Sequence, residues 1–462
     1  MDVSYQLAEN ISNVSYSDLN PTVVDITKKN ILDTFGCMIA ASTLSLDSLP
    51  VIDMVRKAGG SGEAGVIGFP DKIPVWMAAF ANGILAHALD YDDIVNATSV
   101  HPSMCTIPAA FALAEKTGGV SGKEFITAVA LGNDLICRLG YAIKNKAEGM
   151  NLGFRPAPVL GVFGAAAAAG KVLKLNQQQI VDALGIVFHQ GAAGTIEAFL
   201  SPGDTKIRDY YGGFIGLNGV LAALLSQMGI TGIKTCFEGP AGLFSVYFNN
   251  KYDRDYLVAD LGIKFDGVQV SVKPWPANIM MHNYIYATLQ LGLEADIGPD
   301  DIDKIIIYVG EPFMRFAAGD KKVPKTGNEA RISLPFCVGA CAARRELKLW
   351  NFTPDGLADD LALDMAQKVE AVVAETVDQK SFVQPAKVEI IDKRGKRHIK
   401  QVDHSLGHPD NPLDFRYVAN KFRDCVSYSA NLSVKNKTES IIELIQNIDQ
   451  VEDIREFSKL FS

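Results

Sequence analysis

Residues 86–108 read AHALDYDDIVNATSVHPSMCTIP. Three aspartates (Asp90, Asp92, Asp93) and two histidines (His87, His101) crowd into this span. A small-residue apolar run of helical character, 74–89, leads into it, and a second apolar run, 107–114, follows. Titratable groups between two core helices carry a large desolvation cost unless they are paired or used. The stretch therefore predicts a mainly helical fold that holds an active site between two buried helices.

The flanking sequence extends that reading. Pro21-Thr22 opens a run of apolar residues at helical spacing, including Val23, Val24, Ile31, Leu32 and Phe35. Helices are predicted over 123–143, 159–173, 177–188 and 212–228, the second carrying five consecutive alanines, 165–169. The texture changes near residue 265. The β-branched run DIDKIIIYV at 301–309 reads as a strand, and 387–402 as a hairpin turning at Arg394-Gly395. Helices are expected between them over 332–347 and 354–374, and after Pro412 over 415–428 and 440–460. The simplest architecture is mainly α: a large all-helical domain built from both chain ends, 1–266 and 405–462, with a smaller α+β domain, 267–404, inserted between them.

Bulk properties narrow the function. A net charge of −9 with scattered basic residues argues against nucleic acid as a partner. The N-terminal residues lack a basic segment followed by an apolar core, so no secretory signal is expected. The most apolar stretches, such as 163–169, are too short or too interrupted by glycine to suggest a membrane span. Seven cysteines in apolar surroundings read as buried free thiols in a reducing cytoplasm. No zinc-type spacing surrounds the Cys337/Cys341 pair, and no G-x-G-x-x-G follows a clear strand.

Polar groups break the apolar pattern in four further places: Gly153-Phe-Arg155-Pro, Asp204-Thr205-Lys206, Lys273-Pro-Trp-Pro276, and Glu329-Ala-Arg331-Ile-Ser333. Singly, each has an ordinary structural explanation. Together, Arg155, Lys206 and Lys273 offer fixed positive charge for substrate carboxylates. His101 titrates in the range an acid or base requires, and the aspartates can orient it.

At this point the motifs resemble the MmgE/PrpD family. AHALDYDD at 86–93, then His101-Pro102, is similar to that family's hallmark. The resemblance continues through the 160–169 helix, Asp204-Thr-Lys206, FEGPAG at 237–242, Lys273-Pro-Trp-Pro, ISLPF at 332–336, GHPDNP at 407–412 and Lys421-Phe-Arg. It implies a helical domain with an α+β lid, a homodimer, a basic cleft between domains and no metal or organic cofactor. It maps the family's site aspartate to Asp90, its loop histidine to His101 and its lysines to Lys206 and Lys273. The expected activity is that of a cofactor-independent hydro-lyase on a small di- or tricarboxylate, resembling 2-methylcitrate dehydratase and starting with proton abstraction α to a carboxylate. Epimerisation of a dicarboxylate and decarboxylation of the cis-aconitate type are the alternatives. In this reading His101, Asp90, Asp93, Lys206 and Lys273 are catalytic, Arg155, Lys206, Lys273 and Ser333 bind substrate, and Asp90 and Asp93 orient His101. His87 and Asp92 only cap or pack. Arg155 and Phe336 replace a histidine and a tyrosine of the family pattern, so fewer proton carriers are expected than in relatives.

Overall fold

A computed structural model describes residues 2–147, 153–191, 207–374 and 383–461. Nine helices make up the described N-terminal part: α1 (Ser4–Asn13), α2 (Pro21–Leu44), α3 (Leu49–Lys57), α4 (Val75–His87), α5 (Pro102–Thr117), α6 (Gly122–Ala147), α7 (Pro156–Val172), α8 (Gln177–Gln190) and α9 (Tyr211–Gln227), shorter turns aside. Local sequence sets their starts. Asn20 accepts from the Val23 amide and Pro21 occupies the first turn of α2, where its missing N–H costs nothing. Pro102 and Pro156 open α5 and α7 in the same way.

The glycines and alanines of the central helices serve close packing. Alanines 165–169 of α7 are fully buried. A β-carbon on Gly132 of α6 would lie 2.8 Å from the Gly164 carbonyl of α7, and the reverse substitution meets the Gly132 carbonyl at the same distance. Gly83 of α4 and Gly212 of α9 likewise present backbone to backbone, and a β-carbon on either would fall on the other's carbonyl. That second crossing carries His87 at the end of α4 against Tyr211 at the start of α9.

Within α6, Gly122–Lys144 has the length and apolarity of a membrane span, against the expectation that no stretch does, but 94% of its most apolar part is buried inside the fold. It is the core helix of the bundle.

The chain leaves this core through Ser271 to Pro276, and the buried apolar residues from Trp275 to Val402 form a second cluster. There α10 (Ile279–Glu294), α11 (Leu334–Arg344) and α12 (Asp360–Gln367) accompany a four-stranded sheet. Its strands are β3 (Ile302–Val309), β4 (Val369–Val373), β5 (Ala386–Asp392) and β6 (Arg397–Val402), after a two-residue ladder, β1 (Ala64–Gly65) with β2 (Lys72–Ile73), in the first part. The order is β4-β3-β5-β6, with β3/β4 parallel and the other pairs antiparallel. The β5–β6 hairpin turns through Gly395 at φ +81°, as its sequence predicts.

Two predicted helices are different in the structure. The 354–374 segment is helical only at Pro354–Leu357 and Asp360–Gln367, then becomes β4. The run VEAVV pairs in register with Ile305–Val309, and β-branched residues suit that half-buried edge. The 440–460 segment breaks after α14 (Thr438–Gln446) into a short turn and one further helical turn, Arg455–Ser458.

The return to the first core runs through Gly407, whose carbonyl accepts from the Val272 amide at 3.1 Å. Gly407 has φ +89°, and a β-carbon there would collide with Val272 O. The departing and returning strands of chain are thus bonded side by side. α13 (Phe415–Ser427) then packs on α2.

Candidate active site

The 88–101 loop is pinned by three backbone hydrogen bonds at two places. Ile94 and Ser271 exchange backbone hydrogen bonds at 3.0 and 2.7 Å, and Val95 N–H donates to Val100 O at 2.9 Å. Asp90, just past α4, sits at φ +49°, a left-handed conformation that costs an L-residue roughly 1–2 kcal/mol. Its side chain holds it there. Asp90 Oδ1 accepts from Lys273 Nζ at 2.6 Å, its carbonyl accepts from the same Nζ at 2.8 Å, and Oδ2 accepts from Asn278 Nδ2 at 3.1 Å. Lys273 is fully buried. Two of its three N–H donors are thereby taken by Asp90, leaving one.

Behind this pair stands Lys421, from α13. Its ammonium donates to Tyr91 O at 2.7 Å and to Lys273 O at 2.9 Å, lies 2.6 Å from Asp33 Oδ1, and sits 3.6 Å from the Tyr91 ring centroid. Burial works against the charge on Lys421, but Asp33 together with the Cys37 and Cys425 thiols offsets it and its pKa is raised, while burial raises Asp33 in spite of the lysine. One side chain from the C-terminal segment therefore fixes the backbone of both the aspartate loop and the lysine segment.

Two imidazoles and the carboxylate they share lie beside this frame. Asp92 receives both imidazoles: His87 Nδ1 at 3.0 and 3.1 Å from its two oxygens, and His101 Nδ1 at 3.0 Å from Oδ2. All three are buried. Burial pushes Asp92 up, but the two rings outweigh it and hold the carboxyl well below its usual range. Burial depresses His101 to about 4 in spite of Asp92. For His101 the arrangement that follows is an ionised Asp92 accepting the Nδ1–H of a neutral ring whose Nε2 is presented as a proton acceptor, while His87 sets its Nδ1 against the same carboxylate. His87 Nε2 is buried with no hydrogen-bond partner among the described residues, and so is the Tyr211 hydroxyl. The Tyr211 ring lies 4.7 Å from the His87 ring, the His101 ring 4.8 Å from it, and the Arg155 guanidinium 5.0 Å from the Tyr211 centroid.

These positions revise the expected roles. Asp92, not Asp90 or Asp93, orients His101. Asp90 is engaged by Lys273 and Asn278. Asp93 caps α5, taking the Ser103 amide at 3.1 Å and its hydroxyl at 2.5 Å, with Asn133 and Thr106 extending the network. Burial lifts Asp93 to about 7 against those bonds. Ser333, expected to bind substrate, caps α11 by accepting from Phe336 N at 3.0 Å and donates to Lys321 O at 2.6 Å. Both functions of that hydroxyl are occupied inside the second core. Phe336 is a buried core ring. Lys206 lies outside the described residues. His87, Asp92, Tyr211, Asn278 and Lys421 are additions that the sequence reading missed as site groups. His87 carried a usable signal, since it falls at the last turn of the helix that delivers Asp90.

Among the described residues, two groups of side chains bring potential metal-ligand atoms within 4.8 Å of one another: His87, Asp92 and His101, and the surface set His404, His408 and Asp410. In the first, the N···O separations of 3.0–3.1 Å are hydrogen-bond lengths.

Sequence profiles decide the family. The profile of the MmgE/PrpD N-terminal domain matches residues 5–255, and that of the MmgE/PrpD C-terminal domain matches residues 275–450. The chain belongs to the MmgE/PrpD family. Among curated MmgE/PrpD-like relatives, it is 25% identical to cis-aconitate decarboxylase of Homo sapiens over 468 residues, spanning 98% of this chain and 92% of that protein. It is 24% identical to a cis-aconitate decarboxylase-like protein of Aspergillus oryzae, covering 100% of this chain and 97% of the other. It is 22% identical to cis-aconitate decarboxylase of Aspergillus terreus, covering 100% and 96%. The C-terminal profile begins at residue 275, just past Lys273 and its bond to Asp90.

A pH dependence follows from His101. If its neutral form is the working base, kcat/KM stays level from neutrality down to about pH 4 and falls below it. An unperturbed imidazole would place that limb near pH 6.5. His87→Gln leaves Asp92 to a single ring, strengthens its hold on the His101 proton and moves the limb upward. A pH–rate profile of the two proteins checks both statements.

Proposed function

We propose that this chain is a lyase of small di- or tricarboxylates that handles a carbanion next to a carboxylate, and that its reaction is decarboxylation of a cis-aconitate-type substrate. The observation that carries the reading is the His87–Asp92–His101 array set beside the buried Lys273–Asp90 pair. The names of the relatives support decarboxylation over the dehydration first expected. In that reaction the bond to one carboxylate breaks and CO2 leaves. The electron pair moves through the adjacent double bond to a carbon that takes up one proton.

His101 would supply the proton. Its proton affinity is low in the free site, but a polyanionic substrate against the ring raises it, because nearby opposite charge favours the charged form. Arg155, Lys206 and the remaining donor of Lys273 would hold carboxylates, and an arginine does so with two parallel bonds. Arg155 cannot move protons near neutrality.

One observation favours a second reading. A neutral His101 with its Nδ1 tied to a carboxylate is also the form of a general base. Proton abstraction α to a carboxylate would then come first, as in epimerisation or dehydration. The pH profile separates the two: a reaction that begins by giving the His101 proton slows as pH rises above about 4, while one that begins by taking a proton slows below it.

The direct experiment incubates purified protein with cis-aconitate, 2-methylcitrate and citrate and follows the products by proton NMR and CO2 release. CO2 and a five-carbon unsaturated dicarboxylate from cis-aconitate are expected. Water loss from 2-methylcitrate without CO2 from cis-aconitate would overturn decarboxylation, and no turnover of any of the three would overturn the carboxylate-lyase reading.

A further inference from the structure

A cavity of about 710 Å³ lies between the two cores and is apart from the acid/base groups. Its first wall is the end of α2 and the residues after it, Thr43 to Asp47, together with Ala88. Its second wall includes Lys325, Asn328, Arg331, Phe352, Pro354 and Leu357. Neither His87, His101, Arg155 nor Lys273 lines it.

The lining is divided by chemistry. Arg331, Lys325 and Asn328 give it a polar, cationic part, while Leu44, Phe352 and Leu357 give it an apolar one. Asp47 is the one carboxylate among the lining residues, so the side-chain charge is positive on balance. Arg331 is only 7% exposed. Its Nη1 donates to Asn328 Oδ1 at 2.7 Å and its guanidinium lies 5.6 Å from the Phe352 centroid, so both neighbours that orient it also line the cavity.

We propose that this cavity binds an anionic small molecule with an apolar body, its acidic head on Arg331 and Lys325 and its body against Leu44, Phe352 and Leu357. The volume is in the range of sites for drug-sized ligands, and a mostly apolar wall with a few converging polar groups is the usual composition of such sites. A planar guanidinium held by its neighbours pairs with a carboxylate or phosphate without first having to be ordered. A di- or tricarboxylate substrate has no apolar body to cover those side chains. The ligand is therefore chemically different from the substrate.

Such a ligand touches both cores at once. It also lies close to the site by bonded contact: Arg331 O accepts from the Asn278 amide at 2.9 Å, and the Asn278 side chain donates to Asp90 at 3.1 Å. Occupancy of the cavity is thus linked to the residue that holds Asp90.

The test is calorimetric titration of the full chain with octanoate, octyl phosphate and octanol, which needs no turnover and so does not depend on the lyase reading. Octanoate or octyl phosphate is expected to bind below about 1 mM, with octanol about tenfold weaker or more. Whichever anion binds more tightly identifies the head group. Arg331→Gln should weaken the anion by about tenfold, and Leu357→Trp, which fills the apolar part, should abolish binding, both judged on protein whose circular dichroism matches wild type. Cis-aconitate should not displace octanoate. Absence of heat with both anions, an unchanged affinity in folded Arg331→Gln or Leu357→Trp, or one-for-one displacement by cis-aconitate would each overturn the proposal.

Discussion

Asp92→Asn is expected to lower kcat by about 10³–10⁴-fold, the scale seen when the carboxylate behind a catalytic imidazole is neutralised. The reason is proton placement. Asp92 accepts from two Nδ1 atoms, His87 at 3.0 Å and His101 at 3.0 Å. An asparagine has one accepting oxygen and one donating nitrogen. It can accept from one ring, but it must donate to the other, which then carries its proton on Nε2 and loses its free acceptor there. The charge that supports a protonated His101 during turnover is lost as well. Shape is conserved, so the fold is expected to survive. Steady-state kinetics and a thermal melt on the same protein check the two halves of the statement. Activity within tenfold of wild type would contradict the assignment of Asp92.

The second large effect is on stability. Lys421→Met removes the cation from a site where Asp33 is buried with no side-chain exposure. Breaking a buried pair from one side costs about 3–5 kcal/mol, because the remaining charge is left uncompensated. It also frees Tyr91 O and Lys273 O, each held by that ammonium at 2.7 and 2.9 Å. Denaturant unfolding should show the loss directly. The double variant Asp33→Asn with Lys421→Met is expected to recover most of the stability, since no charge is stranded. It is not expected to recover activity, since the aspartate loop and the Lys273 segment still lack their common anchor. Recovery of both would reduce Lys421 to a charge partner of Asp33.

The larger part of the fold could be read from the sequence because apolar periodicity and helix starts are local. Pro21, Pro102 and Pro156 each open a helix, and the β5–β6 hairpin is set by its alternating residues and Gly395. β4 could not be read this way. VEAVV is an edge strand only because β3 offers a partner more than 60 residues earlier in the chain, which a local pattern does not contain.

The site divides in the same manner. That the 86–108 stretch gathers titratable groups between two buried helices was legible from residue types alone. Which carboxylate faces which imidazole was not. Asp90, Asp92 and Asp93 are near neighbours, and their roles separate only through the left-handed turn at Asp90 and the helix start at Ser103. The first turns Asp90 toward Lys273 and Asn278. The second commits Asp93 to the α5 cap. Asp92 remains for the two rings. Tyr211 and Lys421 come from distant segments, and only the crossing at Gly83 and Gly212 and the packing of α13 on α2 bring them in. The expectation of few proton carriers changes accordingly: His87 takes a place in the array, although Arg155 and Phe336 remain non-carriers.

The centre of the site is one arrangement, two imidazoles sharing Asp92 through their Nδ1 atoms. Nitrogen-15 NMR of histidine-labelled protein, titrated from pH 8 to pH 4, observes it directly. The prediction is that His101, assigned by substitution, gives the Nδ1–H tautomer at neutral pH and stays neutral until the pH approaches about 4, and that His87 also carries a proton on the Nδ1 that faces Asp92. A His101 that carries its proton on Nε2, or that titrates near the ordinary value of about 6.5, would contradict it.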